Sequence, residues 1–311
     1  MTTPFLEVKR KIDPIISTDW LAGHSKDIVV IDIRTPADYA AGHIPGSINE
    51  PFVTSFDATC RGPSSHWIIG SSDCIWLEVP NITDLSVTIG NLGISGDSLV
   101  AIVTASNSGE PPFYGFANAA RVAVTLIYAG VRNVAVVDGG YPKWAAEHRS
   151  ISQSPPKNAT PVAYHATVNE SIFVSIEHIR KAIGKGIIID ARDANVYFGE
   201  AIEPLASKAG HIPTACSLPA PWLWEWLKFN DNDGTYIYKS EKIIRAMASG
   251  VIGKHGGGKK EIIVYCGAGG YASAWWFVLT QVLGYQDIKF YDGSAQEWSK
   301  KDYDMIPYEW E

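Results

Sequence analysis

Cysteine is scarce in this chain, with only four among 311 residues: Cys60, Cys74, Cys216 and Cys266. None of them forms a CxxC pair, so the sequence lacks the spacing that is typical of a structural zinc site. Four cysteines in a chain of this size also do not indicate a disulfide framework. Whether Cys60 and Cys74 pair with each other stays open, because both lie in one polar stretch.

Long apolar runs and positive charge are also lacking. No segment approaches the roughly 20 consecutive apolar residues that a membrane helix needs. Residues 1–10 lack the apolar core of a secretory signal and include an acidic residue. The formal net charge of −7 and the pI near 5.6 disfavour nucleic acid or an anionic membrane as a partner. We therefore expect a cytoplasmic protein with neither kind of partner.

An internal repeat organises the chain. In the first copy, Asp32 and Arg34 follow a Val/Ile run and precede Gly-His-Ile-Pro at 42–45; in the second, Asp190 and Arg192 precede the same motif at 210–213. The aspartate-to-histidine spacing is 11 residues in the first copy and 21 in the second. Asp-Gly pairs at 138 and 292 each follow a glycine by eight residues and precede a tryptophan by six. This order of markers indicates a tandem duplication with an insertion in the second copy.

Two domains follow from the repeat. A stretch rich in proline and serine near residues 150–161 is typical of a linker. We assign 1–149 to a first domain, 150–164 to the linker and 165–311 to a second domain. Short Val/Ile runs at 28–33, 99–104, 134–137, 186–190, 262–265 and 288–291 alternate with helical segments. The pattern predicts an α/β fold, with a parallel sheet covered by helices on both faces in each domain.

Cys266 holds the most informative position. It follows a strand-like run and opens a Gly-rich loop that leads into a helix: Cys266-Gly267-Ala268-Gly269-Gly270-Tyr271. Unpaired N–H groups at a helix start carry partial positive charge and stabilise an anion. We therefore expect the pKa of the Cys266 thiol to lie below its ordinary value. A lone cysteine is more often a buried structural residue, but the Gly-rich strand-to-helix turn favours a reactive one.

Taken together, these motifs resemble those of two-domain rhodaneses, the thiosulfate and 3-mercaptopyruvate sulfurtransferases. The resemblance covers residues 12–307 and implies an inactive first domain, since the loop at 104–115 has no cysteine. It also implies that Cys266 takes a sulfur atom from a donor, becomes a persulfide and passes the sulfur to cyanide or a thiol. Backbone N–H groups from Gly267 through Ala268, Gly269, Gly270 and Tyr271 would hold that sulfur. No metal or organic cofactor is expected, and a thiol protein such as thioredoxin is a further candidate acceptor.

Arg192 is the first candidate for a cation that binds the donor. It follows the strand that ends at Asp190, so it should lie at the same sheet edge as Cys266, and a guanidinium can bind a carboxylate or sulfonate-like group bidentately. A structural ion pair is an equal alternative, because Arg34 occupies the same motif position in the half without the loop cysteine. The loop itself departs from both subfamilies: it carries no charge, and Ala268 replaces a serine. The donor therefore stays open between thiosulfate and 3-mercaptopyruvate.

Two other functions compete with sulfur transfer. Phosphatases of related fold use a cysteine loop that ends in arginine, but no arginine follows Cys266 here, which disfavours phosphate chemistry. A non-catalytic module that binds a partner or senses oxidants is the second alternative. The physiological acceptor, the pathway and the oligomeric state are not readable from the sequence.

Overall fold

The protein is described by a computed structural model that covers residues 10–52, 65–70, 75–106, 113–155, 159–230, 233–253 and 260–310. Each half is built on its own five-stranded parallel sheet. Cys60 and Cys74 lie outside the described residues. No helix within these ranges is long and apolar enough to span a bilayer.

The first sheet uses strands between residues 15 and 137 in the order β1-β5-β4-β2-β3. Its elements are β1 (Ile15–Ile16), α1 (Thr18–His24), β2 (Val29–Asp32), α2 (Pro36–Ala41), β3 (Ile48–Asn49), α3 (Ile82–Asn91), β4 (Leu99–Val103), α4 (Tyr114–Tyr128), β5 (Asn133–Val137) and α5 (Gly140–Ala146). The three central strands are buried on both faces, which explains their continuous Val/Ile runs.

The second sheet repeats this order as β6-β12-β11-β7-β8. Its half contains β6 (Phe173–Val174), α6 (Ile176–Ala182), β7 (Ile187–Asp190), α7 (Ala194–Tyr197), β8 (Ala215–Ser217), β9 (Trp224–Asn230), β10 (Asp233–Tyr238), α8 (Glu241–Ile252), β11 (Ile262–Tyr265), α9 (Gly270–Phe277), β12 (Ile288–Tyr291) and α10 (Ser294–Lys300). Strands β9 and β10 form a separate antiparallel hairpin. The predicted α/β class and the six predicted strands are confirmed, while the short edge strands and the hairpin are additional.

The repeated Asp-x-Arg motif folds in the same way in both halves. Arg192 Nε lies 3.0 Å from Asp190 Oδ1, and its Nη2 donates to Asp190 Oδ2 at 2.6 Å and to the carbonyl of Gly210 at 2.7 Å. Arg34 makes the corresponding contacts with Asp32 at 3.0 and 2.6 Å and with the carbonyl of Gly42. The motif ties the end of a central strand to the following Gly-His-Ile-Pro turn.

The two halves share one continuous apolar core. Helix α4 of the first half packs against α9 of the second, and these helices occupy corresponding places in the two copies. Reciprocal hydrogen bonds cross the interface: Asp138 accepts from the backbone N–H of Tyr238 at 2.8 Å, and Asp292 accepts from that of Val79 at 2.7 Å. Arg121 on α4 is fully buried and forms an ion pair with Asp292. The interface is therefore an integral part of the fold.

Candidate active site

Cys266 lies at the carboxyl end of β11, a central strand of the second sheet, and directly before α9. Its backbone N–H donates to Ser294 Oγ at 3.2 Å, and its carbonyl accepts from the N–H of Ala295 at 2.9 Å. The N–H of Gly269 donates to Cys266 Sγ at 3.0 Å. Gly269 has a φ of +96°, a left-handed conformation that glycine adopts without strain. The loop thus curls around the sulfur.

The pKa of the Cys266 thiol is raised, which contradicts the expectation of a lowered value. Burial is the main cause, because the residue is only 3% exposed, and the nearby Glu203 carboxylate raises the pKa further. Backbone N–H groups of Ala272, Ala268 and Gly269 act in the opposite direction, as the loop sequence predicts. Desolvation of the thiolate outweighs these donors. The sequence does not show the depth of the sulfur or the carboxylate beside it.

A cavity of about 510 Å³ opens on the cysteine. Both halves line it. The residues are Leu77, Tyr114, Ala117, Asn118, Glu203, Pro204, Leu205, Cys266, Gly267, Ala268, Gly270 and Tyr271. Of the predicted site residues, the loop therefore contributes Cys266 and four others to the wall, while Gly269 contacts the sulfur from behind. The cavity wall is mostly apolar.

Arg192 does not line this cavity. The side chain is 1% exposed, and Asp190 and the Gly210 carbonyl occupy Nε and Nη2. Its remaining Nη1 lies 4.0 Å from Glu203 Oε2. The structure thus shows the ion pair between Arg192 and Asp190, and the role of Arg192 in binding the donor stays a prediction. Arg34 forms the same ion pair with Asp32 in the half without the loop cysteine.

Glu203 lines the candidate site but was not predicted from the sequence. Its carboxylate packs on the loop so closely that a methyl group added at Gly267 would meet Oε2 at 2.1 Å. Burial raises the pKa of Glu203 to about 7, against the lowering effect of Arg192. Glu203 lies within the segment that makes the second Asp-to-His spacing longer than the first. This insertion occurs only in the half that carries the loop cysteine, and it was the one sequence signal that pointed to Glu203.

The first-half wall residues were also missed. Leu77 is held in place by hydrogen bonds on its own carbonyl and on its neighbours. Its carbonyl accepts from Arg121. The N–H groups of Trp76 and Val79 donate to Gln296 and Asp292. Tyr114 begins α4 near the end of the segment 104–115, the first-half counterpart of the cysteine loop, and its ring meets Tyr271 edge-on at 5.3 Å. This position was the only sequence signal for Tyr114, and Leu77 had none.

We expect replacement of Glu203 by glutamine to make Cys266 more reactive toward a neutral alkylating reagent. A carboxylate opposes the neighbouring thiolate, so its removal lowers the pKa of the thiol and increases the thiolate fraction below that pKa. Alkylation of Cys266 by iodoacetamide at pH 7.5, followed by peptide mapping, should accelerate at least roughly two-fold. Glu200→Gln is the matched control, because Glu200 is exposed and outside the cavity wall. An unchanged or slower rate in Glu203→Gln would contradict the electrostatic assignment.

Comparison with known proteins defines the class of this chain. The rhodanese-like domain family matches it twice, at residues 17–147 and 175–301. The chain belongs to this family, and it is a tandem rhodanese-like protein. With both copies and the loop cysteine in place, it is a sulfurtransferase.

Individual relatives span nearly the whole chain. The sulfur carrier protein TtuD of Thermus thermophilus is 31% identical over 303 residues, which cover 91% of this chain and 93% of TtuD. A putative thiosulfate sulfurtransferase of Synechococcus elongatus is 26% identical over 96% of this chain and 86% of its own length.

Two solved structures share the fold. SseA of Escherichia coli, described as a 3-mercaptopyruvate enzyme with the rhodanese fold, has a TM-score of 0.67 and 23% identity, covering 91% of this chain and 99% of SseA. EanB, in a complex with ergothioneine covalently linked to a cysteine persulfide, has a TM-score of 0.71 and 20% identity, covering 96% and 71% of the two chains. Both matches support the architecture described above.

Proposed function

We propose that the protein moves sulfane sulfur from thiosulfate or 3-mercaptopyruvate to a thiophilic acceptor through a persulfide on Cys266. The single observation that carries this proposal is the position of the sulfur, which faces a cavity in front and backbone N–H donors behind. In this proposal the second half carries the chemistry, and the first half supplies part of the wall.

The transfer has two half-reactions. The Cys266 thiolate attacks the outer sulfur of thiosulfate, a new S–S bond forms, and the bond to sulfite breaks, so that sulfite leaves with its electron pair. With 3-mercaptopyruvate the C–S bond breaks instead and pyruvate leaves after protonation of its enolate. An acceptor such as cyanide, a small thiol or a thiol protein such as thioredoxin then attacks the outer sulfur and regenerates the Cys266 thiolate. The donors that surround Sγ stabilise the negative charge on sulfur at both stages.

Intact-mass measurement tests this function directly. Incubation with each donor should add one sulfur atom, about 32 Da on the general chemistry of persulfides, and cyanide should remove it. No adduct with either donor would overturn the proposal and favour the non-catalytic alternative, a rhodanese-like binding or redox-sensing module.

We propose thiosulfate as the preferred donor, supported by relatives that bear the name putative thiosulfate sulfurtransferase. No lysine or arginine occurs among the cavity-lining residues in the described ranges, so binding of this dianion should be weak. We therefore expect a high KM for thiosulfate that falls roughly ten-fold in Glu203→Gln, with the Glu200→Gln variant unchanged. Steady-state kinetics on both donors checks this, and equal or better turnover with 3-mercaptopyruvate would reverse the donor assignment.

A further inference from the structure

Above its pKa of about 7, Glu203 places a negative charge on the wall of the cavity. Glu203 is its only acidic side chain within the described residues, and no basic side chain there faces it across the cavity. Oε2 of Glu203 is buried and has no hydrogen-bond partner in the described part of the protein. A buried polar atom without a partner costs free energy, so its persistence points to a ligand that supplies the missing interaction.

The neighbouring arginine does not cancel this charge. Arg192 is the nearest cation, but it is already bound through two contacts to Asp190 and approaches Glu203 no closer than 4.0 Å. The cluster of Asp190, Arg192 and Glu203 therefore contains two carboxylates and one guanidinium. Asp193 adds a further negative field at Glu203. The Glu203 carboxylate also acts at the sulfur, because after burial it is the next cause that raises the pKa of Cys266.

The rest of the wall suits a small organic cation. Tyr114, the first residue of α4, and Tyr271 both line the cavity, and their aromatic rings form an edge-on pair. Aromatic faces attract ammonium and related cations, and the attraction grows as water is excluded. Asn118 adds one neutral polar side chain. A cavity of about 510 Å³ is large enough for an acceptor of several heavy atoms beside the sulfur.

We propose that this cavity selects a sulfur acceptor that carries a protonated amine close to its thiol, with Glu203 as the counter-charge. The inference deepens the proposed function, on which its physiological meaning rests. In the transfer step the acceptor thiolate attacks the outer sulfur of the Cys266 persulfide, and a new S–S bond forms on the acceptor. The bond between Sγ and the outer sulfur breaks, and Cys266 leaves as the thiolate. No external oxidant or reductant is required.

Thiol–disulfide exchange tests the charge preference without requiring sulfurtransferase activity. Three disulfides of closely similar length differ only in their end groups: cystamine is dicationic, bis(2-hydroxyethyl) disulfide is neutral, and 3,3′-dithiodipropionate is dianionic. Each transfers one half to Cys266 and releases the other as a thiolate. Intact mass follows the rate of mixed-disulfide formation at pH 8, and peptide mapping assigns the product to Cys266. This rate is divided by the rate at which the same disulfide reacts with free glutathione, which gives the normalised rate.

We expect the normalised rate to fall from cystamine to the neutral disulfide and again to the dianion, by roughly ten-fold at each step. In Glu203→Gln the three rates should converge, whereas Glu200→Gln should keep the full spread. The ratio separates charge recognition from the thiol pKa, because a shift of that pKa changes all three rates equally. Equal rates in the wild type, a spread that survives in Glu203→Gln, or no reaction of Cys266 with any of the three would overturn the inference.

A second experiment uses the persulfide form of the protein. Protein loaded with sulfur from thiosulfate should be discharged faster by cysteamine than by 2-mercaptoethanol or 3-mercaptopropionate, in the same order and with the same dependence on Glu203. Failure to load the protein would count against the proposed function alone, because the disulfide experiment stands without it. Loading followed by discharge at equal normalised rates would count against the charge preference alone.

Discussion

Cys266→Ser should form no sulfur adduct with either donor and should lose sulfurtransferase activity to the background of the assay. A serine hydroxyl is far less acidic than a thiol and cannot form a persulfide, so both half-reactions lose their nucleophile. The substitution is nearly isosteric at a buried position where the N–H of Gly269 meets the sulfur at 3.0 Å, so the fold should persist. Intact mass after incubation with thiosulfate or 3-mercaptopyruvate, together with an unchanged urea midpoint, measures both effects.

Cys216→Ser is the matched control, since Cys216 lies on β8 and outside the cavity wall. It should retain the cyanide-sensitive gain of one sulfur and most of the activity. An adduct that persists in Cys266→Ser but disappears in Cys216→Ser would transfer the nucleophile to another cysteine and refute the mechanism.

Arg121→Met should produce the largest loss of stability in the interface. Arg121 is fully buried, and its guanidinium contacts both carboxylate oxygens of Asp292 and the carbonyl of Leu77. Removing one partner leaves a buried carboxylate without its counter-ion, which costs about 3–5 kcal/mol of unfolding free energy. Urea denaturation followed by tryptophan fluorescence should show a midpoint lowered by roughly 1 M.

Two variants make this prediction specific. Arg245→Met breaks an exposed pair with Glu241 one helical turn away, and such pairs contribute at most about 0.5 kcal/mol. Adding Asp292→Asn to Arg121→Met removes the uncompensated charge while keeping an acceptor for the N–H of Val79, so part of the loss should be recovered. A midpoint for Arg121→Met as close to wild type as that of Arg245→Met would show that the ion pair does not hold the halves together.

Much of the fold was readable because its signals are local. The central strands are continuous Val/Ile runs, and the repeated Asp-x-Arg and Gly-His-Ile-Pro motifs fold identically because each arginine binds the aspartate two residues before it. The hairpin of β9 and β10 was not predicted. Its strands pair locally, and contacts such as the bond from Thr235 Oγ1 to the carbonyl of Gly139 join it to the other half.

The site was only partly readable for a related reason. Cys266 and its loop form one contiguous segment, so the strand-to-helix turn could be inferred from order alone. Glu203, Leu77 and Tyr114 reach the same cavity from distant parts of the chain, and the raised pKa of the thiol follows from burial and from Glu203. A sequence shows which groups are present but not how deeply a neighbour's packing desolvates them.

The backbone N–H groups of Tyr238 and Val79 donate to Asp138 and Asp292, so each copy of the repeat accepts a hydrogen bond from the other. The first copy has no cysteine in the segment 104–115, which corresponds to the Cys266 loop. It nevertheless supplies part of the cavity wall and of the shared apolar core, so the loss of either copy would expose apolar surface on the other. Selection on the first copy should therefore act on its fit to the second, and substitutions at its cavity-lining positions should change the shape of the cavity beside Cys266.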